Sequence, residues 1–416
     1  MPDWRLLADR ASSLAGTPCY VISERSVRHA ASRLRGLETS VRLRHWLSLK
    51  TQPVNRLVHV ATELGFGIDV VSDYELTAAV TAGVPPQQIL VNGVGKHRWL
   101  GKSAMQNLSV HLDSLAEVRS LAGQAKSQKW QVGLRCAIPP HVDSEEGHED
   151  NRGLVCRDQF GLTREEIRSA AAILSGAGVS LRGLHFHIHT NVKQVEEYRH
   201  AIEYVAEITE DLRIEPEYVD IGGGLPISGE VPLDGTSAAE TFDLSEFRRM
   251  LERVPLALPS VHEVWMENGR FLTGPGGALV VTVMDKKDRG DMSYLICDGG
   301  RVNHARMAAT ERHEIVLAPA RGGPLKKTVI CGPTCTAVDR FGGWMLPASV
   351  EPGDRVIWLN AGAYHIPLET RFSTGLSPVV WFNAHGEPEV IRTRETPMEW
   401  WGQWISPAKR QYAAIG

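Results

Sequence analysis

The chain has 416 residues, and its 45 Lys and Arg against 49 Asp and Glu give a formal net charge of −4. This balance argues against a nucleic-acid or polybasic membrane binder, which relies on clustered positive charge. No apolar run approaches the roughly 20 residues that cross a bilayer, the first residues lack a secretory signal pattern, and the six cysteines are scattered without a CxxC pair. We therefore expect a cytoplasmic protein with reduced thiols.

Short apolar strands alternate with helix-like segments from about residue 41 to residue 272. Helical spacing of apolar residues is clear in Asp73–Ala82 and Val195–Glu210. The predicted strands are His45–Lys50, Gly67–Val71, Ile89–Val91, Val110–Asp113, Val132–Cys136, Leu181–His189, Tyr218–Ile221 and Val264–Glu267. Eight such repeats predict a (β/α)8 barrel. A doubly wound sheet is the alternative, less favoured because no GxGxxG turn follows the first strand.

The pattern changes after Gly274 to strand-like runs divided by Gly, Pro and Asp turns, which is typical of an all-β domain. These runs are Val280–Met284, Tyr294–Cys297, His313–Leu317, Thr328–Cys331, Arg355–Leu359 and Val379–Phe382. The N-terminal TPCYVIS also reads as a strand, which we expect to pair with this sheet. The predicted domains are thus a barrel over residues 25–272 and a discontinuous β-domain over residues 1–24 and 273–416.

Two segments stand apart from these elements. His141–Gly153 is acidic and contains two histidines, but a solvated surface loop is a better interpretation than a metal site because no regular element fixes the spacing of the ligands. The C-terminal segment carries Trp400, Trp401 and Trp404. We expect these rings to pack against the body of the protein or a partner subunit, since aromatic side chains contribute chiefly by burying area.

Chemistry in such a barrel belongs at the carboxyl ends of the strands. The first strand ends at Lys50, which is either a strand-end lysine that extends its amine to water or a desolvated amine suited to a Schiff base. The seventh strand runs into Gly222–Gly224, which is either a tight turn or a backbone cradle for an anion. The eighth ends in MENGR, with Glu267, Gly269 and Arg270 at the same edge.

Three histidines alternate along the predicted sixth strand. His185, His187 and His189 would therefore point to one face of that strand. A metal site is one interpretation of this pattern. The other places one imidazole on a flat cofactor ring, with the remaining rings in different layers.

An ordered set of motifs resembles one family specifically. The set resembles the pyridoxal-phosphate (PLP) decarboxylases of the alanine-racemase-like fold, a group that includes diaminopimelate and ornithine decarboxylases. The resemblance covers roughly residues 15–385 and is carried by TPCYVI, LSLKTQP, GFGIDVVSDYEL, LVNGVGK, GLHFHIHT, DIGGG, ENGR, GPTCTAVD and LNAGAYH. It implies PLP as cofactor, an amino acid as substrate, and a homodimer with active sites shared across the interface.

The resemblance also implies the roles of individual residues. The implied catalytic residues are Lys50 as the Schiff-base lysine, His187 as the imidazole on the cofactor ring, Glu267 facing the ring nitrogen, and Cys335 supplied by the neighbouring subunit. The implied phosphate ligands are Thr190, Gly222, Gly223, Gly224, Gly269, Arg270 and Tyr364. The implied substrate residues are Arg306, Cys335 and Thr336. No metal is expected, because His185 becomes a core residue.

The charge at Glu267 separates the activities of this fold. An anionic carboxylate beside the ring nitrogen favours the pyridinium form, which is the stronger electron sink. Racemases of the fold place an arginine there, so Glu267 favours decarboxylation. A racemase or epimerase, and a PLP-binding protein without turnover, are the alternatives.

Several positions depart from the family pattern. The acid that usually follows the motif cysteine, and helps to hold the distal ammonium of the substrate, is Thr336 here. The remaining departures are Thr310, Asn268, His189 and the pair Thr51-Gln52. These changes predict a different distal group on the substrate: a diamino acid, or an amino acid conjugated to citrate, another acid or a carrier, in a siderophore or secondary-metabolite pathway.

Overall fold

The computed structural model describes residues 2–37, 39–139, 148–149, 155–156, 159–232, 238–304 and 311–405. The described residues form two compact units. One draws on Ala31–Pro226 and Ala238–Phe271, and the other on Met1–Ala30, Ile227–Ser237 and Leu272–Gly416. The predicted surface loop His141–Gly153 lies outside the described residues, apart from the two-residue strand His148–Glu149, which pairs with Val155–Cys156.

The first unit is a closed barrel of eight parallel strands. In chain order these strands are Arg42–Ser48, Gly67–Val70, Ile89–Val91, Ser109–Leu112, Gln131–Arg135, Leu181–His185, Tyr218–Asp220 and Glu263–Asn268. The last strand pairs with both the first and the seventh, which closes the ring. The predicted (β/α)8 class is confirmed, and the doubly wound alternative is wrong, because an open sheet has no such closing pair.

Helices follow the barrel strands and begin at well-formed caps. The α-helices are Asn55–Glu63, Asp73–Thr81, Leu115–Ser127, Arg164–Gly176, Val195–Leu212, Ala238–Thr241, Leu244–Glu252 and Val254–Ala257, with Glu24–Arg35 and Arg270–Thr273 at the junctions of the two units. Short 3-10 turns are Leu49–Thr51, Pro86–Gln88, Lys96–Arg98 and Leu100–Lys102. Ser72, Ser114 and Thr163 accept backbone N–H groups at the N-termini of their helices, and a cap of this kind contributes about 1 kcal/mol.

Large side chains fill the barrel at the amino ends of its strands. This floor consists of Trp46, Leu90, Tyr218 and Trp265. The rings of Tyr218 and Trp265 stack with centroids 3.6 Å apart. Glycines on other strands leave room for the rings: a Cβ on Gly67 would lie 2.2 Å from Trp46, and one on Gly183 would lie 2.2 Å from Tyr218. Each buried ring stabilises the barrel by about 1.5–3 kcal/mol, and the interior is packed solid below the strand ends.

The second unit is built on a nine-stranded sheet. Its strands are Cys19–Ser23, Gly277–Arg289, Met292–Cys297, Ile315–Ala318, Leu325–Cys331, Arg340–Pro347, Arg355–Trp358, Val379–Phe382 and Pro388–Arg392, and a separate pair joins Glu230–Pro232 to Glu311–His313. The helices are Trp4–Ala15, Arg301–His304, His365–Leu368 and Pro397–Gly402, with a 3-10 turn at Gly274–Gly276. The helix Trp4–Ala15 packs its buried face, including Trp4 and Leu7, on the sheet core.

The N-terminal strand pairs with this sheet, as expected from the segment TPCYVIS. Cys19–Ser23 pairs antiparallel with Gly277–Arg289 and parallel with Val379–Phe382. Two details differ from expectation. The predicted strand His313–Leu317 is split between two partners, and Arg340–Pro347 is a strand that was not among the predicted runs.

The C-terminal tryptophans are only partly packed. Trp400 Nε1 donates to the carbonyl of Arg371 at 2.8 Å, which fixes the helix Pro397–Gly402. Trp401 and Trp404 remain 50% and 64% exposed. The expected packing on the body is therefore confirmed for Trp400 alone.

The surroundings of five cysteines are described, and all five are free thiols: Cys19, Cys136, Cys297, Cys331 and Cys335. Among the described helices, none combines the length and the apolar character that a membrane span requires.

Candidate active site

Lys50 lies just beyond the first barrel strand. The strand ends at Ser48, two residues earlier than predicted, because Leu49–Thr51 closes into a 3-10 turn held by a bond from Thr51 Oγ1 to the Ser48 carbonyl at 2.7 Å. The side chain is exposed at the carboxyl edge of the barrel. Burial raises the pKa of Asp69 and lowers that of His187; the positive charge of Lys50 opposes the first shift and adds to the second, so the amine lies near these groups.

A layer of polar side chains lies above the aromatic floor. We call it the polar layer, and it comprises Ser48, Asp69, Asn92, His111, His185, Asp220 and Glu267. Six of its members follow an inward-facing floor or glycine position by two residues, as the period of a strand requires: Ser48 after Trp46, Asp69 after Gly67, Asn92 after Leu90, His185 after Gly183, Asp220 after Tyr218, and Glu267 after Trp265.

Asn92 links two of the three carboxyl groups of this layer. Its Nδ2 donates to Asp69 Oδ1 at 2.8 Å and to Glu267 Oε1 at 2.7 Å. Ser48 Oγ donates to the other oxygen of Asp69 at 2.7 Å. Asn92 and Asp69 were not predicted as site residues. Their positions at strand ends, on the inward face of the barrel, can be inferred from the alternation of side chains along a strand. A buried carboxylate with several donors has a fixed orientation, so Glu267 is held in place.

A chain of hydrogen bonds keeps the neighbouring imidazoles neutral. Asn92 Oδ1 lies 3.0 Å from His111 Nδ1, and the hydroxyl of Tyr218 lies 3.1 Å from His111 Nε2. Since the amide oxygen only accepts, Nδ1 carries the proton and Nε2 accepts from Tyr218. Burial, followed by the charges of nearby groups, lowers the pKa of His111 and of His185 well below the usual range.

His111, His185 and Glu267 also have the spacing of a metal site, with one ligand atom from each within 4.8 Å of the others. The hydrogen bonds account for two of these groups without a metal. His111 is bonded on both ring nitrogens, and Glu267 accepts from Asn92 while lying 3.1 Å from His185 Nε2. We therefore treat this set as the support of Glu267.

Two carboxyl groups of the polar layer, those of Asp69 and Asp220, have raised pKa values. Burial, and next the negative charge of Glu267, raise the pKa of Asp69 to about 7. The same two causes raise the pKa of Asp220 well above its ordinary value, although Asp220 Oδ1 accepts from the Gly222 N–H at 2.8 Å. The protonated forms of Asp69 and Asp220 are favoured, because each of these carboxyl groups is buried beside the carboxylate of Glu267.

The raised pKa of Asp69 predicts a pH-dependent stability for the cofactor-free protein. Unfolded Asp has a pKa of about 4, so between about pH 4 and pH 7 the folded chain holds a proton that the unfolded chain has lost. This contribution to the free energy of unfolding is fully present below about pH 4 and declines as the pH rises towards 7.

Asp69→Asn should therefore flatten this decline, and urea unfolding at about pH 5 and pH 7 measures it. Asp73→Asn, an exposed carboxyl on the next helix, is the control. An Asp69→Asn protein whose stability changes with pH as steeply as that of the wild type would contradict the assignment.

The glycine loop after the seventh strand is shaped by close packing. Gly222 and Gly224 have φ values of 68° and 109°, and a Cβ on Gly223 would lie 2.5 Å from the carbonyl oxygen of Glu267. Two of the three N–H groups are used within the loop in this structure: Gly222 N–H by Asp220, and Gly223 N–H by His187 Nδ1 at 3.2 Å. Two of the three amides expected to bind an anion therefore donate to protein acceptors, Asp220 and His187, in this structure.

The three histidines do not share a strand face. The sixth strand ends at His185, so His187 and His189 lie in the following loop. His189 is exposed and pairs with Glu197 at 2.6 Å. The metal interpretation of this triplet is therefore wrong, and the predicted strand Leu181–His189 is too long, because the chain must turn into the loop that meets the glycines.

His187 is a neutral hydrogen-bond acceptor beside the glycine loop. Gly223 N–H donates to its Nδ1, so the ring proton resides on Nε2. Burial, opposed by the charge of Glu267 and assisted by that of Lys50, lowers its pKa to about 3. An uncharged, oriented imidazole at this place suits contact with a flat ring.

The eighth strand ends in a compact turn that brings Arg270 to Thr190. Arg270 Nε donates to Thr190 Oγ1 at 3.2 Å. A Cβ on Gly269 would lie 2.5 Å from Thr51 Cγ2, which ties this turn to the turn that carries Lys50. Asn268 is buried and donates to the Met266 carbonyl at 2.9 Å, so its departure from the family pattern serves the strand itself.

The remaining predicted residues lie in the sheet unit. Tyr364 and Cys335 both adopt left-handed backbone conformations, with φ values of 64° and 56°. Such conformations are unfavourable for residues with a Cβ and often mark functional positions. Thr336 is exposed beside Cys335. Arg306 and Thr310 lie outside the described residues.

Comparison with known proteins places these observations in context. Residues 25–274 match the family model of the pyridoxal-dependent decarboxylase, pyridoxal binding domain. The diaminopimelate decarboxylase of Aquifex aeolicus is 27% identical over 392 residues, covering 91% of this chain and 90% of that protein. The enzyme of the same name from Bacillus subtilis is 26% identical over 414 residues, covering 92% and 90%.

Solved structures show the same architecture. The diaminopimelate decarboxylase of M. jannaschii in complex with L-lysine superposes with a TM-score of 0.81 at 23% identity, covering 96% of this chain and 95% of that one. The diaminopimelate decarboxylase of Helicobacter pylori with L-lysine gives 0.79 at 21% identity, covering 95% and 98%. At these identities the likeness establishes the fold.

Proposed function

Because this chain belongs to the pyridoxal-dependent decarboxylases, and is thus a PLP-dependent amino-acid carboxy-lyase, we propose that it removes the α-carboxylate of an L-amino acid whose distal amine is absent or conjugated. The observation that carries this choice is the absence of an available carboxylate in the described segment 332–338. The predicted siderophore or secondary-metabolite pathway has no support from the relatives, so we propose a reaction and a substrate class only.

The residues of the barrel unit fit PLP. The glycines at 222, 223, 224 and 269 stand where a Cβ would collide with backbone or with Thr51, which keeps a cradle open beside Arg270. Gly224, Gly269, Arg270 and Thr190 would hold the phosphate. Lys50 would supply the amine for covalent attachment, and Glu267 would face the ring nitrogen. When bound, PLP withdraws electrons from the bond between Cα and the carboxylate of an attached amino acid.

The protein's own residues then determine the outcome. The negative charge of Glu267, held by Asn92, would favour a protonated ring nitrogen and so the strongest electron withdrawal. Neutral His187 would cover the ring without adding a competing positive charge. Lys50, freed by the incoming amine of the substrate, and Cys335 are the candidate proton donors to Cα.

The segment around Cys335 supports the proposed substrate class. Thr336 replaces the acid of the family pattern, and the nearby carboxylate is already engaged: buried Asp339 accepts from Thr334 Oγ1 at 2.6 Å, from the Thr334 N–H at 2.9 Å and from the Arg301 N–H at 2.8 Å. Within the described segment 332–338, the free distal ammonium of a substrate would find no charged partner. Leaving this ammonium unpaired costs about 1–3 kcal/mol. A conjugated or neutral distal group avoids this cost.

A panel of amino acids tests this assignment. CO2 release should be measured for diaminopimelate, L-lysine and L-ornithine, and for L-lysine and L-ornithine acylated on the distal amine with citrate or another acid. We expect kcat/KM for the acylated substrates to exceed that for the free diamino acids by at least about 10-fold. Preference for diaminopimelate, as the names of the relatives suggest, would overturn the substrate class and leave the reaction intact. Exchange of the Cα hydrogen with the carboxylate retained would identify a racemase instead.

We further propose a homodimer in which the sheet unit of one subunit supplies Cys335 and Thr336 to the barrel site of the other. Lys50→Ala and Cys335→Ala proteins, each of low activity, should regain activity when unfolded together and refolded. Random pairing restores about a quarter of the wild-type sites, because half of the dimers are mixed and each has one intact site. Activity that does not rise above the two separate proteins would exclude a shared site.

A further inference from the structure

Three buried histidines converge inside the sheet unit, and none of them has a role in the site described above. His304 ends the helix Arg301–His304, His313 ends the strand Glu311–His313, and His365 begins the helix His365–Leu368. They are only 2%, 3% and 1% exposed. One ring nitrogen from each lies within 4.8 Å of the other two.

Backbone carbonyls orient two of these rings. His313 Nδ1 lies 2.8 Å from the Leu359 carbonyl oxygen, and His365 Nδ1 lies 2.8 Å from that of Ala363. Because a carbonyl oxygen only accepts, both Nδ1 atoms carry protons, and each neutral ring presents its lone pair on Nε2. Metal-bound histidines in proteins are oriented in the same way by their second nitrogen.

The third ring supplies a nitrogen that the protein leaves unsatisfied. His304 Nδ1 is buried and has no hydrogen-bond partner among the described residues. A buried polar atom without a partner is costly and rare, and it calls for a ligand.

We propose that His304, His313 and His365 bind a Zn²⁺ ion. Three imidazoles are an established zinc ligand set that leaves the fourth position for a small ligand such as water. Zinc holds imidazole nitrogens at about 2.0–2.1 Å, which in tetrahedral geometry separates two of them by about 3.4 Å. The present separations, at most 4.8 Å, close to this value by small rotations of the rings.

The surroundings distinguish this arrangement from simple ring packing. The ring centroids of His304 and His365 are 4.4 Å apart. Those of His313 and His365 are 5.1 Å apart, and the planes of these two rings are nearly perpendicular. The rings are thus not stacked in parallel, and their nitrogens converge. Phe341 lies 5.5 Å from His304 and forms an apolar wall. The charge of Arg301 acts on His304 and opposes a cation, which three nitrogen ligands must outweigh.

A zinc ion here would join three separate segments of the sheet unit. His365 directly follows Tyr364, and His304 precedes Arg306 by two positions. Both neighbours are predicted active-site residues, so the ion would act as a structural clip on the segments that carry them.

Metal binding by the intact PLP-loaded protein tests the site. After chelator treatment and dialysis, the protein is titrated with Co²⁺, whose visible absorption reports tetrahedral coordination, and with Zn²⁺ in competition with a coloured chelator. We expect about one equivalent per chain. His304→Gln, His313→Gln and His365→Gln should each weaken binding at least about 100-fold, whereas His385→Ala, an exposed histidine of the same unit, should not.

X-ray absorption at the zinc edge of the wild-type protein provides a readout that does not depend on folding of the variants. Three imidazole ligands without sulfur support the site. Binding of less than half an equivalent, a sulfur ligand from cysteine, or equal loss of binding in His385→Ala and His304→Gln would overturn it.

Discussion

Lys50→Ala is expected to lower the rate of decarboxylation by at least about 10³-fold. Lys50 lies at the carboxyl edge of the barrel, on the turn Leu49–Thr51. Its charge acts on both Asp69 and His187. Its removal eliminates both covalent attachment of the cofactor and one proton donor. The measurement is CO2 release under saturating substrate, together with the visible absorption of the bound cofactor.

Lys102→Ala is the matched control, because Lys102 is an exposed lysine on another short turn of the same unit. It should retain wild-type turnover and absorption. An exogenous primary amine should restore part of the activity of Lys50→Ala. Undiminished turnover in Lys50→Ala would remove the basis for every role assigned in the barrel.

Glu267→Gln is expected to lower kcat by about 10²–10³-fold with a smaller effect on KM. The amide keeps the size of the side chain and an oxygen that accepts from Asn92 Nδ2, but it lacks the negative charge that stabilises a protonated ring nitrogen. The loss should therefore appear in the chemical step. Single-turnover kinetics with the preferred substrate separates this step from binding.

The control lies on the same strand. Glu263→Gln removes a carboxylate that pairs with Arg42 at 2.9 Å and accepts from Trp265 Nε1 at 2.9 Å, at the opposite end of the strand from Glu267. A mostly exposed ion pair of this kind contributes about 0–1 kcal/mol to stability, and catalysis should be unchanged. Equal losses of kcat in the two variants would show that Glu267 acts through the strand and not through its charge.

The barrel was predictable because its strands are short, apolar and regularly spaced. The first strand nonetheless begins earlier than the predicted start at His45. Arg42 and Arg44 belong to it and pair with Glu263 and Trp265. Arg44 also covers the rings of Trp46 and Trp265. The start of this strand is thus set by pairing partners that are distant in sequence, and local composition carries no information about them.

The candidate site was predictable residue by residue only where a motif stood at a strand end. Lys50, Glu267 and Arg270 were found in this way, whereas Asp69 and Asn92 were missed. Each of the missed residues is a single polar residue at the end of an apolar run, and its importance arises from the hydrogen bonds that closure of the barrel creates.

The histidine cluster was beyond reach of the sequence for a different reason. His304, His313 and His365 follow no metal-binding spacing, and they converge because three separate elements of the sheet unit end near one another. Conversely, the regular spacing of His185, His187 and His189 suggested a shared face that the chain abandons at the end of the sixth strand.

Covalent capture of the cofactor tests the central claim most directly. The PLP-loaded protein is reduced with borohydride, digested, and the pyridoxyl-modified peptide identified by mass spectrometry. Modification at Lys50, present in the wild type and lost in Lys50→Ala, is the predicted result. A modified peptide that maps to another lysine, or no modified peptide at all, would contradict the account.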